Sequence, residues 1–221
     1  MASTCTESGL TLVELLVAMA IMAGVLAGIS SLFAVHNRMA AKQEETTLMQ
    51  QELLSSVARM AEELRMCGYS PTGKAGFGFV HAPGTGSPDY GRATNETSVY
   101  CTLDWNGNGE LSENGTGSSF EHVSYRVNTL NSGARKSPPD NVLRKYDTGA
   151  VHWQPSSTNI ADLRFAYFDA NGDPIPDPGG NTDRIRMVRI EATAVASSAR
   201  AGLGIGNRTM STSVWCRNLG Q

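Results

Sequence analysis

From Leu10 to Val35 the chain runs through twenty-six residues with one ionisable side chain, Glu14, near the start. A helix of about 20 apolar residues crosses the hydrocarbon core of a bilayer, so this run predicts a membrane-spanning segment. The pattern then changes without a break. Between Asn37 and Met66 there is no proline or glycine, and Ala, Lys, Gln, Glu, Leu and Met dominate, all strong helix formers. Leu54, Val57, Ala61, Leu64 and Cys67 recur at three- and four-residue steps and predict one apolar stripe. Glu44, Glu45, Glu52, Arg59, Glu62, Glu63 and Arg65 fall on other faces, with Arg59–Glu63 and Glu62–Arg65 spaced for helical ion pairs. Cys67-Gly68-Tyr69-Ser70-Pro71 supplies the stop, with glycine at the C-cap and proline just beyond. The reading is a single long helix, its first half apolar on all sides and its second half one-sided.

Beyond Pro71 the period shifts to two. Val99 to Leu103, Glu121 to Val127, Val142 to Tyr146, Leu163 to Phe168, Ile185 to Ala196 and Met210 to Arg217 read as strands. Alternation is plainest in Val123-Ser124-Tyr125-Arg126-Val127 and Leu163-Arg164-Phe165-Ala166-Tyr167. Gly, Pro, Asn and Asp clusters separate them, and Asp169-Ala170-Asn171-Gly172 reads as a turn between apolar runs. The expected fold class is α+β: an antiparallel sheet packed on the second half of one long N-terminal helix.

Composition narrows the function classes. The net charge of −3 and the lack of a basic-aromatic stripe give no footprint for nucleic acid. Much of the hydrophobic content is spent in the N-terminal run. The remainder, rich in Gly, Ser, Thr and Asn, suits a loop-rich β domain with a small core. His36, His81, His122 and His152 stand apart without metal-ligand spacing, and G-x-S-x-G, P-loop and H-E-x-x-H patterns are absent. The expectation is a protein that is not an enzyme. Asn95-Glu96-Thr97, Asn114-Gly115-Thr116 and Asn207-Arg208-Thr209 match glycosylation sequons and read as loops.

A secretory signal peptide fits poorly. The nine residues before the run, MASTCTESG, contain no Lys or Arg, and the apolar core exceeds the 7–15 residues of an ordinary h-region. A carboxylate inside lipid is costly and usually marks function, which a plain anchor leaves unexplained. Ser8-Gly9-Leu10-Thr11-Leu12-Val13-Glu14 resembles the processing site of type IV prepilins and type II secretion pseudopilins, written G-F-T-L-x-E. That resemblance implies cleavage after Gly9 by a membrane peptidase, methylation of the new N-terminus on Leu10, and assembly into a filament. Thr11, Leu12 and Glu14 fall on the family's fixed positions; Leu10 replaces the usual phenylalanine, and the leader lacks its usual basic residues. In the family, the carboxylate at the position of Glu14 pairs with the free N-terminal amine of a subunit and sets the stagger between neighbours.

Under this reading the chain divides into a leader, 1–9, a transmembrane and assembly helix, 10–36, the soluble half of the helix, 37–67, and a β-rich globular domain, 68–221. Cleavage would discard Cys5 and leave Cys67, Cys101 and Cys216. An exported bacterial domain folds in an oxidising compartment, so one disulfide and one spare thiol are expected. Cys67–Cys101 is the first choice, because it would pin the helix end to the first strand region. Cys67–Cys216, Cys101–Cys216 and three reduced cysteines stay open.

One further segment carries chemistry. Counting from Asp104, oxygen-bearing side chains stand at positions 1, 3, 5 and 9 (Asp104, Asn106, Asn108, Ser112), with glycine at 6 and an apolar residue at 8. This matches the front of an EF-hand calcium loop. Glu110 adds an oxygen at position 7. Position 12 is Gly115 in place of the bidentate glutamate, so Glu113 or Glu121 would have to close a weak site. Asn-Gly turns produce similar strings, and a plain hairpin loop stands beside calcium as the alternative.

The segment Arg59 to Tyr69, the turn Phe168 to Gly172 and the closing Thr212 to Leu219 are similar to PilW-type minor pilins. The resemblance implies a minor subunit of a type IV pilus at the tip or in priming of assembly. Its partners would be prepilin peptidase and other major and minor pilins. It would be held in the bacterial inner membrane by one span, with a periplasmic domain, and then carried to the cell surface. A J-like minor pseudopilin of type II secretion is the nearest alternative; a membrane-anchored calcium-binding domain is the other.

Overall fold

The computed structural model describes residues 11–81, 93–110, 121–127, 142–146 and 153–220. Among these residues helix α1 runs unbroken over Leu12–Arg65, and seven strands follow: β1 Ser98–Thr102, β2 His122–Val127, β3 Val142–Tyr146, β4 Trp153–Thr158, β5 Ile160–Phe168, β6 Met187–Ala194 and β7 Arg208–Trp215. Every pairing is antiparallel, as the alternating pattern requires. The strands divide into two sheets, ordered β1-β2-β3-β4 and β5-β6-β7. The α+β class read from the sequence is therefore observed, with two sheets where one was expected. The chain clusters into two compact units, Met1–Glu44 and Glu45–Gln221.

In the first unit every residue from Thr11 to Ala40 is exposed, including Leu12, Leu16, Ile21, Leu26, Ile29 and Phe33. An apolar surface of this extent is not tolerated in water. The sequence therefore makes a helix that needs lipid or other helices around it, and this helix is long and apolar enough to cross a membrane.

In the second unit α1 buries Met49, Leu53, Val57, Met60, Ala61 and Leu64. These follow the 3.6-residue period more closely than the stripe expected from Leu54, which lies more than half exposed. One helical position is about 100° of rotation, enough to move Leu54 off the face that Leu53 occupies. Opposite the helix, β5 and β6 alternate buried and open positions, with Leu163, Phe165, Tyr167, Val188, Ile190, Ala192 and Ala194 inward. The two sheets meet through β5: the Phe165 N–H donates to the Glu96 carbonyl at 2.8 Å, and the Tyr167 hydroxyl reaches the carbonyls of Asn95 and Ser98 at 3.0 Å each.

Three carboxylates on α1 do more than solvate its outer faces. Glu45 accepts the Ser197 N–H at 2.8 Å and faces Arg200 at 3.6 Å. Glu52 accepts from the Ser157 hydroxyl at 3.0 Å and the Asn159 amide at 3.2 Å, and Glu63 from the Tyr125 hydroxyl at 2.7 Å. They flank the apolar stripe and find donors on the domain, so the polar border of the helix is also stitched to it. Glu63 additionally makes the expected pair with Arg59 at 3.3 Å. Glu62 and Arg65 form no ion pair among the described residues; instead the Arg65 carbonyl accepts from Asn218 at 3.3 Å.

Strand β4, Trp-Gln-Pro-Ser-Ser-Thr, is absent from the sequence expectation because Pro155 and three hydroxyl residues suppress the strand signal. Its place explains the tolerance: β4 is the outer strand of its sheet, where proline costs no ladder bond if its nitrogen faces outward.

Candidate assembly site

The helix start is built by the residues of the N-terminal motif. Thr11 stands at the N-cap, and its Oγ1 accepts the Glu14 N–H at 3.3 Å. Glu14 reaches back, its Oε2 accepting the Thr11 N–H at 2.9 Å and the Thr11 hydroxyl at 3.0 Å. The Thr11 carbonyl accepts the Leu15 N–H at 3.2 Å and opens the helical ladder. Thr-x-x-Glu thus closes a capping box, in which cap and third residue satisfy each other's orphan donors. The negative carboxylate also sits where the helix dipole favours it.

In lipid this arrangement has a direct consequence. Water cannot solvate the first turn, so its backbone donors must be satisfied from within the chain. Thr11 and Glu14 provide part of that satisfaction and concentrate it on Oε2. Among the described residues Oε1 accepts no hydrogen bond, which leaves one oxygen of an exposed carboxylate able to take a cationic donor. The capping box has a sequence signal, a threonine three residues before a glutamate ahead of an apolar run, beyond the motif position that Thr11 occupies. Leu12 begins the helix with its side chain about three-quarters exposed. Gly9 and Leu10 lie outside the described residues.

At the far end of the helix Cys67 and Cys101 form a disulfide, with Cα atoms 5.8 Å apart. Both are fully buried. The helix closes with Cys67 N–H donating to the Leu64 carbonyl and Gly68 N–H to the Thr102 carbonyl, at 3.1 and 3.0 Å. Gly68 has φ +75°, and a side chain there would collide with Leu219, so glycine is required twice over, by the backbone and by the returning C-terminal segment. Cys216 is a free buried thiol. Burial pushes its pKa up to about 12, with Arg186 pulling weakly the other way.

The Asp104 loop is held by hydrogen bonds. The Asp104 carboxylate is buried and accepts the Gly107 N–H at 2.8 Å, the Gly109 N–H at 3.1 Å and the Ser70 hydroxyl at 3.1 Å. The oxygens of Asn106 and Asn108 accept the N–H groups of Asn108 and Glu110 at 2.8 and 2.7 Å. Ser112, Glu113 and Gly115 lie outside the described residues, and Glu121 is buried at the start of β2. Among the described residues no group of three or more His, Cys, Asp or Glu gathers as a metal site. Nor do the described histidines converge: His36 lies in the exposed helix, His81 bonds the Thr94 carbonyl and His122 the Tyr100 hydroxyl, while His152 lies outside the described residues.

With this geometry in hand, comparison adds one finding. A family profile described as the prokaryotic N-terminal methylation motif matches residues 5–30. The matched span contains Gly9, Leu10 and the whole capping box, and it supports a type IV pilin-like protein, either pilin or pseudopilin. The motif implies processing by prepilin peptidase and assembly with other pilins. Together with the apolar helix it supports anchoring in the inner membrane before assembly. No curated protein and no solved structure matches the chain.

Proposed function

We propose that the chain is a minor subunit of a type IV pilus. Prepilin peptidase cuts after Gly9 and methylates Leu10, and the helix then leaves the membrane for the core of a filament. The observation that carries this reading is Glu14, capped by Thr11 at the head of a helix exposed on every side from Thr11 to Ala40. Such a helix is stable only among apolar neighbours, and its one acid needs a positive partner. The free amine of a neighbouring subunit supplies that partner to Oε1 while Thr11 holds Oε2. Pairing offsets the cost of two charges in low dielectric, and because only one stagger brings the groups together it also sets the register. The β domain stays outside the helical core and contacts other minor subunits, at the tip or during priming.

The test follows the subunit into filaments. Glu14→Leu leaves a membrane protein of normal abundance, and it is expected to vanish from the sheared pilus fraction while the wild-type chain is recovered there. Wild-type levels of Glu14→Leu in that fraction would overturn the role of the carboxylate. Recovery of the wild-type chain only with a secretion pseudopilus would assign the same chemistry to the pseudopilin alternative.

A further inference from the structure

The outer edge of β7 offers a second point of assembly. Among the described residues β7 is the last strand of its sheet and pairs only with β6. The Cys216 N–H donates to the Arg186 carbonyl, on the β6 side. In an antiparallel ladder successive residues turn their N–H and C=O groups to opposite sides. Thr209, Ser211, Ser213 and Trp215 therefore direct theirs away from β6, where no described residue meets them. The opposite edge of the same sheet is closed, with Tyr167 accepting from the Ile175 N–H and Phe165 donating to Glu96.

Edge strands are usually guarded by charge, proline or a bulge. From Thr209 to Trp215 there is no charge and no proline, and the β6–β7 register runs without a shift. Seven of the eight β7 residues are at least partly open to solvent, and Trp215 is half exposed. The groups presented are those of an extended backbone, so the occupant they fit is another strand.

Charge selects which strand. Arg208 and Arg217 are exposed at the two ends of this neutral edge, and neither makes an ion pair among the described residues. Arg208 opens β7, and Arg217 stands in the turn two residues past its end. A second copy of this chain is disfavoured. The antiparallel register that satisfies all four outward residues sets Thr209 against Trp215 and Ser211 against Ser213 of the copy. That register sets Arg208 of each copy opposite Cys216 of the other, one residue from Arg217, so like charges gather at both ends. We propose that β7 receives an extended segment of a different protein, uncharged in its middle and acidic at both ends, as an added fourth strand of the β5-β6-β7 sheet. This inference does not depend on Glu14 or on processing.

The experiment measures amide hydrogen exchange on the full chain in nonionic detergent. The probe is a capped peptide of alternating threonine and valine, long enough to span the edge, with aspartates at both ends. Exchange at Thr209, Ser211, Ser213 and Trp215 is expected to slow about tenfold at saturating peptide, as for amides closed nine-tenths of the time. The same peptide ended in lysines is expected to leave them unchanged. Ser211→Pro removes one outward donor without touching the β6 ladder and is expected to abolish protection at an unchanged melting temperature. Should that variant unfold, Arg208→Glu with Arg217→Glu serves in its place and is expected to reverse the preference to the lysine-ended peptide. Three results would overturn the proposal: no protection at millimolar peptide, equal protection by both peptides, or protection that grows with protein concentration alone.

Discussion

Removing the Cys67–Cys101 link gives a loss that can be worked from the structure. The bridge closes a loop with a sequence separation of 34. On the chain-entropy relation that closure withholds about 3.8 kcal/mol from the unfolded state. For a protein of this size 1 kcal/mol moves the melting midpoint by about 2–4 °C, so the loss is worth ~8–15 °C. The cleanest perturbation is the wild-type chain unfolded, reduced and refolded under reductant, because both thiols stay in place and only the bond is missing. Cys67→Ala with Cys101→Ala removes two fully buried sulfurs and is expected to fall slightly further, by the cavity cost. Thermal unfolding of the full chain in nonionic detergent, followed by circular dichroism, reads both. A downward shift smaller than ~3 °C in the reduced wild type would refute the reasoning, since it would mean that the helix end and β1 are held together without the bond.

Other perturbations read other parts of the structure. The Ser197 N–H and hydroxyl, helped by Arg200, hold the Glu45 carboxyl below its ordinary value of 4.5. Its contribution to stability is thus complete above that value and lost as the pH falls through the lowered one. A Glu45→Gln chain is expected to show a shallower fall in melting temperature below about pH 4.5, and an unchanged slope would remove Glu45 from the border contacts. Burial and the raised pKa of Cys216 predict that iodoacetamide at pH 8 leaves it unmodified in the folded chain and labels it after unfolding; rapid labelling of the native chain would contradict its placement. Asp104→Ala leaves buried donors without an acceptor and is expected to cost about 1–3 kcal/mol in calcium-free buffer. A loss confined to buffer containing calcium would instead put the ion at the centre of that loop.

Much of the architecture was legible because it rests on strong periodic signals. The unbroken run from Leu12 to Arg65 has no helix breaker, and Gly68 ends it where the backbone needs a positive φ. Strands such as β5 alternate because one face meets the core. What escaped the sequence depends on partners distant along the chain. Leu53 and Leu54 look alike until the helix is rotated against the sheets. Glu45, Glu52 and Glu63 read as solvated charges until Ser197, Ser157, Asn159 and Tyr125 arrive from elsewhere. β4 carries proline and hydroxyl residues that only an edge position accommodates, and the division into two sheets turns on the contacts of β5 with the segment before and at the start of β1, Asn95, Glu96 and Ser98. The disulfide was the first of several pairings that spacing allowed, and tertiary contact selected it. At the assembly site the motif was plain, while the mutual capping of Thr11 and Glu14 needed the geometry of the first turn.

The central claim, that this helix is a processed assembly element, is tested most directly by mass spectrometry of the mature N-terminus in cells with prepilin peptidase activity. A chain beginning at N-methylated Leu10, with Met1 to Gly9 removed, is the predicted result. A chain that retains Met1 in such cells would contradict it.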